Sequence, residues 1–97
     1  MSAYLIANVH VHDPDAYEAY RSRTGAIVAR HGGRFIVRGG KVHPLEGEPR
    51  IHRLVIIEFP DLTAAKGFYD SAEYQEVIPL RTIASQGELL IVEGADA

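Results

Sequence analysis

A chain of 97 residues, 46% hydrophobic and 24% charged, has room for one domain around one core and lies outside the composition of disordered proteins. Thirteen acids against ten Lys and Arg give a net charge of -3, which offers no basic footprint for nucleic acid. The absence of cysteine excludes a disulfide frame, a thiolate metal site and a cysteine nucleophile.

The first residues run directly into Tyr4-Leu-Ile-Ala-Asn-Val9 without a basic leader, and no apolar run reaches membrane-spanning length. A cytoplasmic protein without membrane contact is expected. Residues 3–11 alternate, with Leu5, Ala7, Val9 and Val11 on one face and Tyr4, Ile6, Asn8 and His10 on the other, which predicts a strand. Asp13-Pro14 is a helix start, the carboxylate capping free N–H groups and the proline taking a first-turn position that needs no donor. Tyr17, Tyr20, Thr24, Ile27, Val28 and His31 follow at helical spacing until Gly32-Gly33, which closes the helix. Residues 34–38 form a second strand, alternation placing Phe35 and Val37 opposite Arg34, Ile36 and Arg38. Residues 41–50, with Pro44, Gly47 and Pro49, read as a long hairpin loop before a third strand at 51–59. Asp61 caps a short helix to Asp70, Ser71 caps another from Ala72 to Ala84 with a kink at Pro79, and residues 86–93 form the last strand.

This order, β-α-β-β-α-β, predicts an α+β fold of the ferredoxin-like kind: one domain over residues 1–97, with an antiparallel sheet in the order 4-1-3-2 and the helices on one face. The other face then carries Ile6, Ile36, Leu54, Ile56, Leu90 and Val92. A patch of that size calls for a partner sheet, and a face-to-face homodimer is the expectation.

The topology gathers His10, His12, Arg38, His52, Arg53 and Arg81 at one end of the sheet, beneath the loop that holds His43. Two readings stand side by side: a pocket for a carboxylate or other small anion, and a solvated basic rim. Arg81 shares a helix face with Tyr74, Val77 and Ile78, so it points inward and needs an acceptor: Glu88, Glu58, a carbonyl group, a ligand or a partner subunit. Glu58 stands on the apolar side with Leu54 and Ile56. Hairpin pairing that sets Arg38 near Leu54 brings Arg34 beside it. Paired, Glu58 is structural; unpaired, it would have a raised pKa and serve as a general base. His10-x-His12 with His52 is a weak chelating pattern, and no metal site is assigned. Tyr17, Tyr20, Phe68 and Tyr69 are core candidates in which a phenol can line a cleft. Ser71 lacks the histidine or elbow motif of a nucleophile, and neither a phosphate loop nor a dinucleotide fingerprint is present, so no cofactor is assigned.

Taken together, His31-Gly-Gly-Arg-Phe-Ile-Val-Arg-Gly-Gly40, Glu58-Phe-Pro60, Ser71-Ala-Glu-Tyr-Gln75 and Leu80-Arg81 resemble the Domain of Unknown Function 1330 family. Asp13-Pro-Asp-Ala-Tyr-Glu-Ala-Tyr20 and Val92-Glu-Gly94 extend the resemblance over nearly the whole chain. It implies a dimeric α/β barrel and no established activity, within a superfamily that includes cofactor-free monooxygenases, small lyases and isomerases, and haem enzymes. The family pattern points to Arg38, Glu58, Tyr74 and Arg81. Ala72 departs from it, since proline often follows the serine there.

The leading expectation is a homodimer binding a small organic acid or polar metabolite, Arg38 and Arg81 holding the anion and Tyr69 or Tyr74 orienting it. Any catalysis would be acid-base chemistry through Glu58 or a histidine. The alternatives are a non-catalytic dimerisation or regulatory module and a cofactor-free monooxygenase-like enzyme.

Overall fold

The computed structural model describes residues 1–95. Strand β1 (Ala3–Val11) is followed by helix α1 (Pro14–Arg30), strands β2 (Arg34–Arg38) and β3 (Arg53–Phe59), helices α2 (Leu62–Asp70) and α3 (Ala72–Ala84), and strand β4 (Ser85–Glu93). β1 lies at the centre, pairing antiparallel with β3 from Ala3↔Phe59 to Val9↔Arg53 and with β4 from Ala3↔Glu93 to Val11↔Ser85. The sheet order β2-β3-β1-β4 is the expected 4-1-3-2 order seen from its other edge. The fold is α+β and ferredoxin-like, the protomer fold of dimeric α/β barrels.

Local chemistry sets the ends of the helices. Asp13 Oδ1 accepts from the Ala16 N–H at 3.1 Å with Pro14 in the first turn, and Asp61 Oδ1 accepts from Ala64 at 2.8 Å. Ser71 separates α2 from α3 and serves both: its hydroxyl donates to the Phe68 carbonyl at 2.7 Å and accepts from the Tyr74 N–H at 3.2 Å. α3 continues through Pro79. α1 closes at Gly32, whose φ of 75° is the left-handed conformation. Gly33 then passes so near the core that a Cβ there would lie 2.6 Å from Phe59 Cε1.

The core forms where α1, α2 and α3 cover one sheet face. Leu5, Ala7 and Val9 of β1 and Val55, Ile57 and Phe59 of β3 meet Tyr17, Tyr20, Ile27 and Val28 of α1, Phe68 of α2, and Tyr74 and Val77 of α3. The opposite face has no layer over it among the described residues. Ile36, Leu90 and Val92 are exposed there, while Ile6, Leu54 and Ile56 are half-buried.

Two departures from the expected strands matter. The ladder of β3 begins at Arg53 rather than at residue 51, because the Asn8 side chain takes over the pairing: its amide donates to the Arg50 carbonyl at 2.9 Å and its oxygen accepts from the His52 N–H at 3.0 Å. These two bonds tie the end of the exposed 39–52 segment to β1; Leu45 within that segment is 95% exposed. The second departure is a bulge in β2. Arg34 faces Glu58 and Phe35 faces Ile57, but Val37 then faces Ile56 and Arg38 faces Val55. Ile36 is the extra residue, and it reverses the phase of all that follows. Arg38 therefore pairs with Val55, not Leu54, and turns to the helix-covered side instead of the open face that strict alternation predicts.

Candidate functional site

Between the helices and the sheet lies a cavity of about 30 Å³. Its floor comes from Leu5, Ala7 and Val9, from Val55 and Ile57, and from Phe35 and Leu89; Tyr17, Tyr20, Thr24, Phe68 and Tyr74 close it from the helix side. Four arginines reach this lining: Arg21 of α1, Arg38 of β2, Arg53 of β3 and Arg81 of α3. The same wall holds no carboxylate and no imidazole. Glu18, outside the lining, pairs with Arg21 at 2.7 and 3.0 Å, while Arg38, Arg53 and Arg81 have no ion-pair partner among the described residues. Three such charges around an apolar chamber favour an anionic occupant.

The hydrogen bonds sharpen that reading. Arg38 Nη2 donates to the Arg21 carbonyl at 3.2 Å, and its guanidinium lies 4.0 Å from the Phe35 ring centre. Burial, together with the charges of Arg21 and Arg53, lowers the Arg38 pKa from its ordinary value. The Arg53 guanidinium carbon stands 5.8 Å from the Tyr17 ring. The Nε atoms of Arg53 and Arg81 are buried and have no hydrogen-bond partner. A buried cationic N–H without an acceptor is costly, and such groups are rare in native proteins outside sites that await a ligand or water.

Deeper in the chamber the Tyr20 and Tyr74 hydroxyls lie 2.7 Å apart, linking α1 to α3. Burial pushes both phenols above the ordinary tyrosine range; the Tyr20 hydrogen bond and the nearby Arg81 charge offset part of this at Tyr74. Both remain protonated near neutral pH and offer donors, not bases. The Thr24 hydroxyl is occupied, donating to the Tyr20 carbonyl at 2.7 Å.

Of the residues singled out from sequence, Arg38, Tyr74 and Arg81 line the cavity, whereas Tyr69 and Glu58 do not. Tyr69 is 37% exposed, and its ring packs on the outer side of Tyr74, 5.6 Å between centres. Glu58 is on the open sheet face, where its carboxylate accepts from Arg34 Nε at 2.7 Å and from the Tyr4 hydroxyl at 3.2 Å. The Arg34 hydrogen bond holds its pKa below the ordinary carboxylate value.

Of the six cations expected at one end, His12 lies beyond the end of β1 and the other five are divided by the sheet. Arg38, Arg53 and Arg81 face the cavity, while His10 and His52 stack on the open side with ring centres 4.2 Å apart. The strand phase causes the division: Val9 and Arg53 point toward the helices, so the adjacent His10 and His52 point away. Among the described residues no group of three His, Cys, Asp or Glu is placed to hold a metal.

Sequence reasoning names Arg53 only as one of the cations at the sheet end and Tyr20 only as a core phenol, and assigns neither to the ligand. Parity with Val55, Ile57 and Phe59 already puts Arg53 on the core face. The spacing of Tyr17, Tyr20, Arg21 and Thr24 runs along one helix stripe, which carries the signal for Tyr20 and Arg21.

Residues 2–95 match the family described as Domain of unknown function (DUF1330). No relative matches among curated proteins. Several solved structures share the fold. The RPA0582 protein of unknown function from Rhodopseudomonas palustris superposes with a TM-score of 0.72 at 22% identity, over 99% of this chain and 84% of that one. SnoaB, a cofactor-independent oxygenase from Streptomyces nogalater, gives 0.69 at 18% identity, over 99% and 95% of the two chains. Rv0793 from Mycobacterium tuberculosis gives 0.58 at 17% identity, over 100% and 98%.

Proposed function

The chain belongs to the family of Domain of unknown function (DUF1330), and from that premise we propose that it is a cytoplasmic homodimer that binds a small organic acid in the cavity between helices and sheet. The observation that carries this reading is the pair of buried, unpartnered guanidinium N–H groups of Arg53 and Arg81 in a chamber whose lining has no acid. Arg38 and Arg81 hold the anion, as the sequence suggests, with Arg53 beside them and the Tyr74 hydroxyl orienting the bound molecule. An acid carboxylate would give the two orphaned donors charge-assisted hydrogen bonds. The homodimer reading rests on the apolar face formed by Ile6, Ile36, Leu54, Ile56, Leu90 and Val92. The cysteine-free composition fits a reducing compartment.

Binding is favoured over acid-base catalysis because the cavity wall supplies phenols and guanidinium groups but no general base. A second reading, cofactor-independent oxygenation, is supported by the likeness to SnoaB. In that case the substrate must ionise on its own or with bulk base. Oxygen uptake driven by a bound phenolic acid would support it, and binding without uptake would reject it.

A thermal-shift screen of small carboxylates tests the main reading. A ligand at a hundred times its Kd adds about 2.7 kcal/mol to the folded state, which raises Tm by roughly ten degrees in a domain of this size. Arg38→Ala and Arg81→Ala should each reduce that rise. A shift that survives both substitutions unchanged rejects their role in holding the anion.

A further inference from the structure

The cavity between helices and sheet measures about 30 Å³, space for roughly two water molecules, so it admits a carboxylate group and little beyond it. The body of any larger acid must lie outside. Beside the chamber, at the end of the sheet, is an open groove of about 470 Å³, a volume ordinary for a small-molecule site. Val9, Tyr17, Arg21 and Arg53 line both spaces, while His10, Val11, Pro14, Gly39 and His52 line the groove alone. Strand phase sets this arrangement: Val9 and Arg53 face the helices, their neighbours His10 and His52 face away, and the groove passes around the sheet end between them. Arg53 stands where the two spaces meet. Its Nε is buried without a partner, and its guanidinium lies against Gly39, where a Cβ would be 2.9 Å from Cζ. No carboxylate lines either space.

We infer that the ligand is a carboxylic acid divided between the two spaces, its carboxylate inside with Arg53 and its apolar body outside, in the groove beside His10 and His52. This rests on the organic-acid reading of the cavity and names the kind of acid: one with an unbranched stem of a few carbons behind the carboxylate. The stem is unbranched because the chamber has no volume for a second substituent next to the carboxylate. Inside, the carboxylate gives the orphaned Nε of Arg53 a charge-assisted hydrogen bond. Outside, Val11, Pro14 and the Tyr17 ring offer apolar contact, and the stacked imidazoles of His10 and His52, 4.2 Å between centres, form a further wall. A short acid such as acetate fills only the chamber and leaves the groove to water.

Titration calorimetry with acetate, hexanoate and hexanol, together with amide NMR shifts, tests the division. Wild type should bind hexanoate about tenfold or more tightly than acetate, the gain of burying two methylenes in the groove. Hexanol, which lacks the charge, should bind about tenfold more weakly than hexanoate. Both acids should shift the amides of chamber residues such as Ala7 and Val55, and hexanoate alone should also shift those of His10, Val11 and His52. Arg53→Met should weaken both acids about tenfold, with cooperative melting of the variant as the check on folding and Arg53→Lys as a second variant that keeps the charge. Equal affinity for the two acids, or hexanoate shifts confined to the chamber, overturns this inference and leaves the acid reading intact. Hexanol binding as tightly as hexanoate overturns it too, because the groove then acts without the chamber. So does a folded Arg53→Met variant that binds both acids like wild type. If neither acid binds wild type at all, the acid reading of the cavity falls, and this inference with it.

Discussion

Arg34 and Arg38 are four residues apart on one short strand and perform different tasks. Arg34 is three-quarters exposed and spends its charge on Glu58, across the open sheet face. Arg38 leans over Phe35 and donates to a backbone carbonyl of α1, leaving part of its guanidinium for the cavity. The lowered pKa of Glu58 has a consequence for acid stability. A carboxyl depressed in the fold contributes stability that is fully present above its unfolded value, near 4.5, and is lost as pH falls through its folded value. Arg34→Ala should therefore raise the Glu58 pKa toward 4.5 and make unfolding midpoints between pH 5 and 3 less steeply pH-dependent. Carboxyl carbon NMR titration with urea melts at each pH reads both quantities; an unchanged Glu58 titration would mean that Arg34 is not its main partner. The same neighbourhood explains Gly39. Its φ of 75° suits glycine, and the Arg53 guanidinium lies where a side chain at 39 would begin.

At the scale of elements, the bulge in β2 decides which residues form the site. Regular alternation from Arg34 onward places Arg38 on the open face, and Ile36 inserts one step that rotates it inward. Deleting Ile36 should remove the bulge and keep the observed register, with Val37 opposite Ile56 and Arg38 opposite Val55, so that the arginine stays on the cavity side and the thermal response to small acids persists. Loss of the acid response in a folded deletion variant would show that Ile36 is not the residue that sets the phase of Arg38. This is also where legibility in the sequence ends. The capped helix starts at Asp13, Asp61 and Ser71, the glycine close of α1, the sheet order and the Arg34–Glu58 pair are all readable, because each depends on residues near in sequence or on simple parity. A bulge has no residue signature here, since Ile36 is an ordinary strand former, and the error it introduces passes to every later residue of the strand. Arg53 was readable by parity but masked by grouping cations by sheet end without regard to face. The orphaned Nε atoms are properties of packed side chains and have no counterpart in the sequence.

The whole molecule is a two-layer slab with extents of 37 × 34 × 16 Å, helices on one side and bare sheet on the other. A face of that breadth can supply the roughly 800 Å² per partner typical of stable association. Light scattering at micromolar concentration should give twice the chain mass, and Leu90→Glu, which puts a charge on the apolar face opposite Ile6 of β1, should give the monomer mass. A monomeric wild type would overturn the dimer reading. No helix among the described residues is long and apolar enough to cross a membrane, so burial in a bilayer through a helix does not compete for this face.

The 39–52 segment has one further consequence. Its far end is held by the two Asn8 bonds, and its middle, at Leu45, is almost wholly exposed. A backbone break there would sever no ladder, leaving β1-α1-β2 on one piece and β3-α2-α3-β4 on the other, interlocked through both edges of β1 and β3. The chain should therefore work as a split protein: fragments 1–45 and 46–97, expressed separately, are expected to reassemble with the acid response of the intact chain. Fragments that stay apart when mixed would show that the connection itself, not the strand pairing, holds the halves in register.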